Sequence, residues 1–83
     1  MRIDIFLNSV DLFYYQIYRK DLKKIIYRVN MGLDTAADIS ALIGIISMFL
    51  DSNQDGLIEE AHNYIRSTQI LQKYFPEVYT RLC

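Results

Sequence analysis

Apolar and aromatic residues recur through the first third of the chain at Leu7, Tyr14, Tyr18, Leu22, Ile25 and Val29, in steps of three, four or seven. That spacing lines one face of an α-helix and predicts one over about Asn8 to Asn30. A second row, Phe6, Val10, Phe13 and Ile17, widens the apolar stripe in the N-terminal half. The alternation Ile3, Ile5, Leu7 leaves residues 2 to 7 open between an extended arm and an early helical turn. Asn30-Met31-Gly32 supplies residues suited to a left-handed helix stop.

The next helix is expected to open at Asp34 or Thr35, because Thr35-Ala36-Ala37-Asp38 sets a hydroxyl three residues before a carboxylate, a variant of the capping box. It runs to about Leu50. One face is Ile39, Leu42, Ile43, Ile46 and Phe49; the other adds Ala41, Ile45 and Met48, relieved only by Ser40, Gly44 and Ser47. A helix apolar nearly all round needs cover nearly all round. Either the other helices wrap it, or a second copy of the chain docks on it as a homodimer. Asp51 to Gly56 reads as a loop. A third helix then carries Leu57, Ala61, Tyr64, Leu71 and Phe75 on one line, interrupted by Thr68, until Pro76 removes an amide donor. Pro76 and Glu77 open a last short helix to Leu82.

The pattern therefore predicts an all-α fold, a compact three-helix bundle with a short fourth C-terminal helix, as a single helical domain over 1–83. Composition agrees: of 83 residues 52% are apolar and 23% charged, with one Pro and three Gly. Those proportions exclude a disordered or loop-rich all-β chain. The one cysteine, Cys83, excludes an internal disulfide framework and a cysteine-based zinc site. The longest uncharged run, Ile39 to Leu50, is 12 residues, against the ~20 that a bilayer span requires. The opening residues lack a secretory pattern, so the expected location is cytoplasmic, with no membrane partner.

Charge changes the picture more than composition does. The net charge is −1, yet residues 19–28 hold Arg19, Lys20, Lys23, Lys24 and Arg28 against Asp21. Residues 29–60 hold Asp34, Asp38, Asp51, Asp55, Glu59 and Glu60 with no basic residue. Such segregation gives a basic and an acidic surface and steers partners rather than setting the fold.

Between the second and third predicted helices, Asp51-Ser52-Asn53-Gln54-Asp55-Gly56-Leu57-Ile58-Glu59-Glu60-Ala61-His62 resembles an EF-hand calcium loop. The resemblance implies calcium held by side-chain oxygens of Asp51, Asn53, Asp55 and Glu59 and by the Leu57 carbonyl, with Gly56 at the sharp turn. His62 stands at the twelfth position, where calcium takes a bidentate carboxylate. The same letters also make a plain turn before an acid-rich helix start. No cofactor is expected on the leading reading, and calcium on this alternative.

Arg19, Lys20, Lys23, Lys24 and Arg28, interleaved with Tyr18 and Tyr27, suit phosphate contacts and base stacking. They equally suit a solvated helix C-terminal half, and the pI of 5.6 is far from that of a nucleic-acid binder. Phe13, Tyr14, Tyr15 and Tyr18 exceed what one helical face buries, which makes Tyr14, Tyr15 and Tyr18 candidates for a protein contact. One histidine and a terminal cysteine, with no Gly-rich phosphate loop or nucleophile elbow, argue against an enzyme.

The leading expectation is a small non-enzymatic protein-binding module, a stoichiometric inhibitor or immunity-type protein that neutralises a partner such as a toxin or nuclease. Asp51, Asp55, Glu59 and Glu60 would dock on a basic surface of that partner. The calcium-responsive helix-loop-helix module and the nucleic-acid-associated regulator stand behind it.

Overall fold

The computed structural model describes the backbone of residues 3–82 and the side chains of residues 16–82. The fold is an all-α bundle of α1 (Ile3–Asn30), α2 (Ala36–Leu50), α3 (Asp55–Ser67), α4 (Gln69–Tyr74) and α5 (Pro76–Leu82), with no strand among the described residues. Among those residues no helix is long and apolar enough to cross a membrane. Two compact units divide the chain, residues 1–42 and 43–83.

In the first unit α1 begins at Ile3, so the residues that alternated apolar and polar are helical. Ile3, Phe6, Leu7 and Val10 also step by three, one and three, which a helix accommodates as well as the alternation suits a strand. Further along, Leu22 and Ile25 are buried, while Lys20, Lys23, Lys24 and Tyr27 are exposed.

The turn after α1 is fixed by backbone chemistry. Gly32 takes a φ of +73°, a region glycine enters without the steric cost of a Cβ. The Leu33 amide donates to the Arg28 carbonyl at 2.8 Å and the Gly32 amide to the Val29 carbonyl at 3.1 Å. These two bonds make a Schellman stop and satisfy carbonyls that the helix end leaves unpaired.

Three residues later α2 starts with the box the sequence predicts. The Asp38 amide donates to Thr35 Oγ1 at 3.2 Å, and the Thr35 amide donates to Asp38 Oδ2 at 3.0 Å. Along α2, Leu42, Ile45, Ile46 and Phe49 are buried and Ile43, Met48 and Leu50 half-buried, leaving Ser40, Ala41 and Gly44 exposed. All the large apolar side chains of this helix are at least half-covered. Its outward strip, Ser40, Ala41 and Gly44, is small or polar.

In the second unit α3 packs on α4 and α5, and α4 on α5. Leu57, Ala61 and Ile65, four residues apart, form the buried line of α3, and Leu71 is buried in α4. The single third helix of the sequence reading is divided at Thr68, whose backbone is extended (φ −123°, ψ 109°). Ser67 and Thr68 compete with the helical ladder through their own hydroxyls; Ser67 Oγ donates to the Asn63 carbonyl at 3.0 Å. The Thr68 carbonyl then accepts from the amides of Leu71 and Gln72. Gln72 Nε2 reaches back to the Arg66 carbonyl at 3.0 Å and caps the end of α3. Within α3 the step of four from Leu57 through Ala61 sets Ile65 in the core and leaves Tyr64 half-buried.

Candidate functional site

Arg28 ties the α1–α2 corner together. Its Nε donates to Asp38 Oδ2 at 2.9 Å and its Nη2 to the Leu33 carbonyl at 3.0 Å. One guanidinium thus joins the end of α1, the turn and the capping box of α2. The Arg28 hydrogen bond, followed by that of the Thr35 amide, holds the Asp38 carboxyl below the usual carboxylate range.

This braced corner holds out apolar side chains. Tyr27 is 61% exposed, Met31 58% and Leu33 57%. Lys20, Lys23 and Lys24 lie on the same outward side of α1 as Tyr27, opposite Leu22 and Ile25. Scattered exposed apolar residues are ordinary on a protein surface; here three fall within seven residues and beside three lysines. The backbone beneath Met31 and Leu33 is set by the Schellman bonds and the Arg28 brace, so little backbone freedom is left to lose on binding.

The basic set read from the sequence does not act as one surface. Arg28 is committed to Asp38 and Leu33, Arg19 is half-buried and already engaged, and Tyr18 is half-buried. Lys20, Lys23, Lys24 and Tyr27 remain outward. Tyr14 and Tyr15 lie outside the described side chains.

Among the acidic residues, Asp51, Asp55 and Glu59 are exposed and spaced by four, and none makes an ion pair or side-chain hydrogen bond among the described residues. Glu60 is half-buried and engaged. The segment resembling a calcium loop has a different geometry: α3 begins at Asp55, so only Asp51–Gln54 connects α2 to α3. Ser52 Oγ donates to the Phe49 carbonyl at 2.7 Å and accepts from the Gln54 amide at 3.2 Å, and Asn53 turns the chain with φ +57°. With Asp55, Leu57 and Glu59 in a helix, the Leu57 carbonyl points along the helix axis, a backbone course unlike the twelve-residue loop of the resemblance. Among the described residues no group of three or more His, Cys, Asp or Glu side chains gathers as a metal site.

Described residues near α5 line two open depressions on the second unit. One of about 450 Å³ is lined by Pro76, Glu77, Thr80 and Arg81, and one of about 260 Å³ by Tyr74 to Val78. Neither is lined by a histidine, cysteine or serine. His62 is half-buried within α3.

Sequence reasoning passed over Met31 and Leu33. The signal was present: two large apolar residues flank a glycine helix stop, beyond the last position that the helical stripe carries inward. No protein-family model, curated protein or solved structure matches the chain.

Proposed function

We propose that this protein is a small protein-binding module of the stoichiometric-inhibitor or immunity type, acting through side chains on its surface rather than through a catalytic pocket. One observation carries the reading. Tyr27, Met31 and Leu33, each more than half exposed, stand on a backbone fixed by the Schellman stop, the capping box and the Arg28 brace. Tyrosine and methionine are enriched at protein contacts, and a pre-set backbone lowers the ordering cost of binding. The exposed carboxylates Asp51, Asp55 and Glu59 give a field that steers a basic region of the partner.

Capture on the tagged full chain tests this, run beside a Tyr27→Ser/Met31→Ser variant and followed by native mass spectrometry. The expected result is one heterologous protein at fixed stoichiometry on the wild-type chain, lost from the variant while both melt alike. An empty wild-type chain, or equal capture by both, refutes the reading. Reversing Asp51 and Asp55 to lysine is expected to slow association with the captured protein and to flatten its salt dependence. Unchanged kinetics would remove the acidic row from the account.

A further inference from the structure

Along α1, on the side away from Leu22 and Ile25, Ile17, Lys20, Lys24, Tyr27 and Met31 follow one another in steps of three and four. That spacing keeps side chains in one row along a helix. Ile17 is 46% exposed, so the row has an apolar end at Ile17, a basic middle, and an apolar end at Tyr27 and Met31. Lys23 flanks it, and none of the three lysines makes an ion pair among the described residues.

We propose that this row is the seam on which an acidic amphipathic helix of the partner protein docks, its carboxylates opposite Lys20 and Lys24 and its apolar side chains over the two ends. The inference rests on the protein-binding reading above and gives the partner a chemistry. Charge complementarity selects this occupant. A second copy of α1 is disfavoured, since antiparallel pairing sets Lys20 against Lys24, or Lys24 against itself, and parallel pairing sets each lysine against its own copy. A nucleic acid fits less well, because Arg28, the side chain best shaped for phosphate, is held by Asp38 and Leu33. Within the row Tyr27 alone offers a base an aromatic face. A membrane surface asks for a broad apolar face with the lysines on the opposite side, whereas here Lys20 and Lys24 stand within the apolar row itself.

The probe is a synthetic helical peptide with leucines at both ends and glutamates in the middle, at matching spacing, titrated into the full chain and followed by amide NMR. Saturable shifts confined to residues 17–33 are expected. Lys20→Glu/Lys24→Glu, both at exposed positions, should weaken binding by about tenfold or more without changing the melt. The same peptide with lysines for glutamates should not bind. No saturable shift, shifts elsewhere, or equal binding by the lysine peptide overturns the seam. So does displacement of the peptide by an oligothymidylate whose affinity falls with a log–log salt slope near about −2, as about three phosphate contacts give. Wild-type capture that is lost in the Tyr27→Ser/Met31→Ser variant, with no peptide binding, would refute the acidic helix and leave the protein-binding reading standing.

Discussion

Thr35→Ala isolates the contribution of the α2 cap. In the folded chain Thr35 Oγ1 accepts from the Asp38 amide, while the Thr35 amide donates to Asp38 Oδ2. Alanine removes the first bond and keeps the second, which uses backbone on the Thr35 side. The Arg28–Asp38 pair also survives. Loss of an N-cap hydroxyl costs about 0.5–2 kcal/mol. Both bonds are solvent-exposed, so water re-satisfies the freed amide, and the expected cost is about 1 kcal/mol, the middle of that range. For a domain of this size that lowers Tm by about 4–8 °C. Urea unfolding followed by far-UV circular dichroism measures it, with Thr35→Ser expected to recover most of the loss. Thr68→Val is the control: Thr68 also stands at a helix N-cap but makes no side-chain cap bond, and its extended backbone suits a β-branched residue. Thr68 is buried and loses no cap bond, so the swap should cost less than Thr35→Ala. Thr35→Ala within about 0.3 kcal/mol of wild type, or Thr68→Val as costly as Thr35→Ala, would refute the reasoning.

Asp38 carries a pH prediction. Its folded carboxyl is lowered by Arg28 and Thr35, so its contribution is present above the unfolded value of about 3.9 and fades as pH falls through the lower folded value. Asp38→Asn should therefore flatten the acid limb of a plot of urea midpoint against pH, and parallel limbs would contradict the assignment. The exposed glycines should respond with opposite signs. Gly44 lies inside α2 with open space where a Cβ would stand, and Gly44→Ala should stabilise by about 0.5–1 kcal/mol. A loss there would reveal close approach of another chain on the Ser40–Ala41–Gly44 strip. Gly32 has equal room but a φ of +73°, and Gly32→Ala should destabilise by about 1 kcal/mol, the left-handed penalty less the unfolded-chain gain. Ile65→Ala, in the buried line of α3, should cost about 2–5 kcal/mol in a chemical melt; a surface-like loss under about 0.5 kcal/mol would put Ile65 outside the core.

The elements legible in the sequence were those set by local chemistry. Gly32 after a helical stripe and Thr35 three residues before Asp38 are short-range signals, and both resolved into the bonds they imply. Thr68 was visible only as an interruption. A helix continuing through it keeps Leu57, Ala61, Tyr64, Leu71 and Phe75 in line, and the low helix propensity of Ser67-Thr68 does not by itself separate that helix from two shorter ones. The Gln72 side chain on the Arg66 carbonyl and the packing of α3 on α4 and α5 do so. Misplacing Tyr64 for Ile65 follows directly, because counting back two turns from Leu71 through an unbroken helix lands on Tyr64.

The candidate site was harder to read because it depends on which charges are already in use. Sequence counts Arg19, Lys20, Lys23, Lys24 and Arg28 as five equal cations. The fold engages Arg19 and sets Arg28 on Asp38 and Leu33, leaving Lys20 and Lys24 in a row with Ile17, Tyr27 and Met31, flanked by Lys23. The residue that makes the corner rigid is thereby removed from the surface that the corner presents. Arg28→Lys separates these two roles. A lysine has one nitrogen centre on a flexible stem and cannot reproduce the fork to Asp38 and the Leu33 carbonyl. The variant is therefore expected to keep the positive charge yet weaken binding of the acidic peptide by loosening Met31 and Leu33. Amide exchange at Gly32 and Leu33, whose bonds define the Schellman stop, should quicken in parallel. Slower or unchanged exchange beside weakened binding would mean that Arg28 contacts the partner itself, and the brace would lose its role in presenting the site.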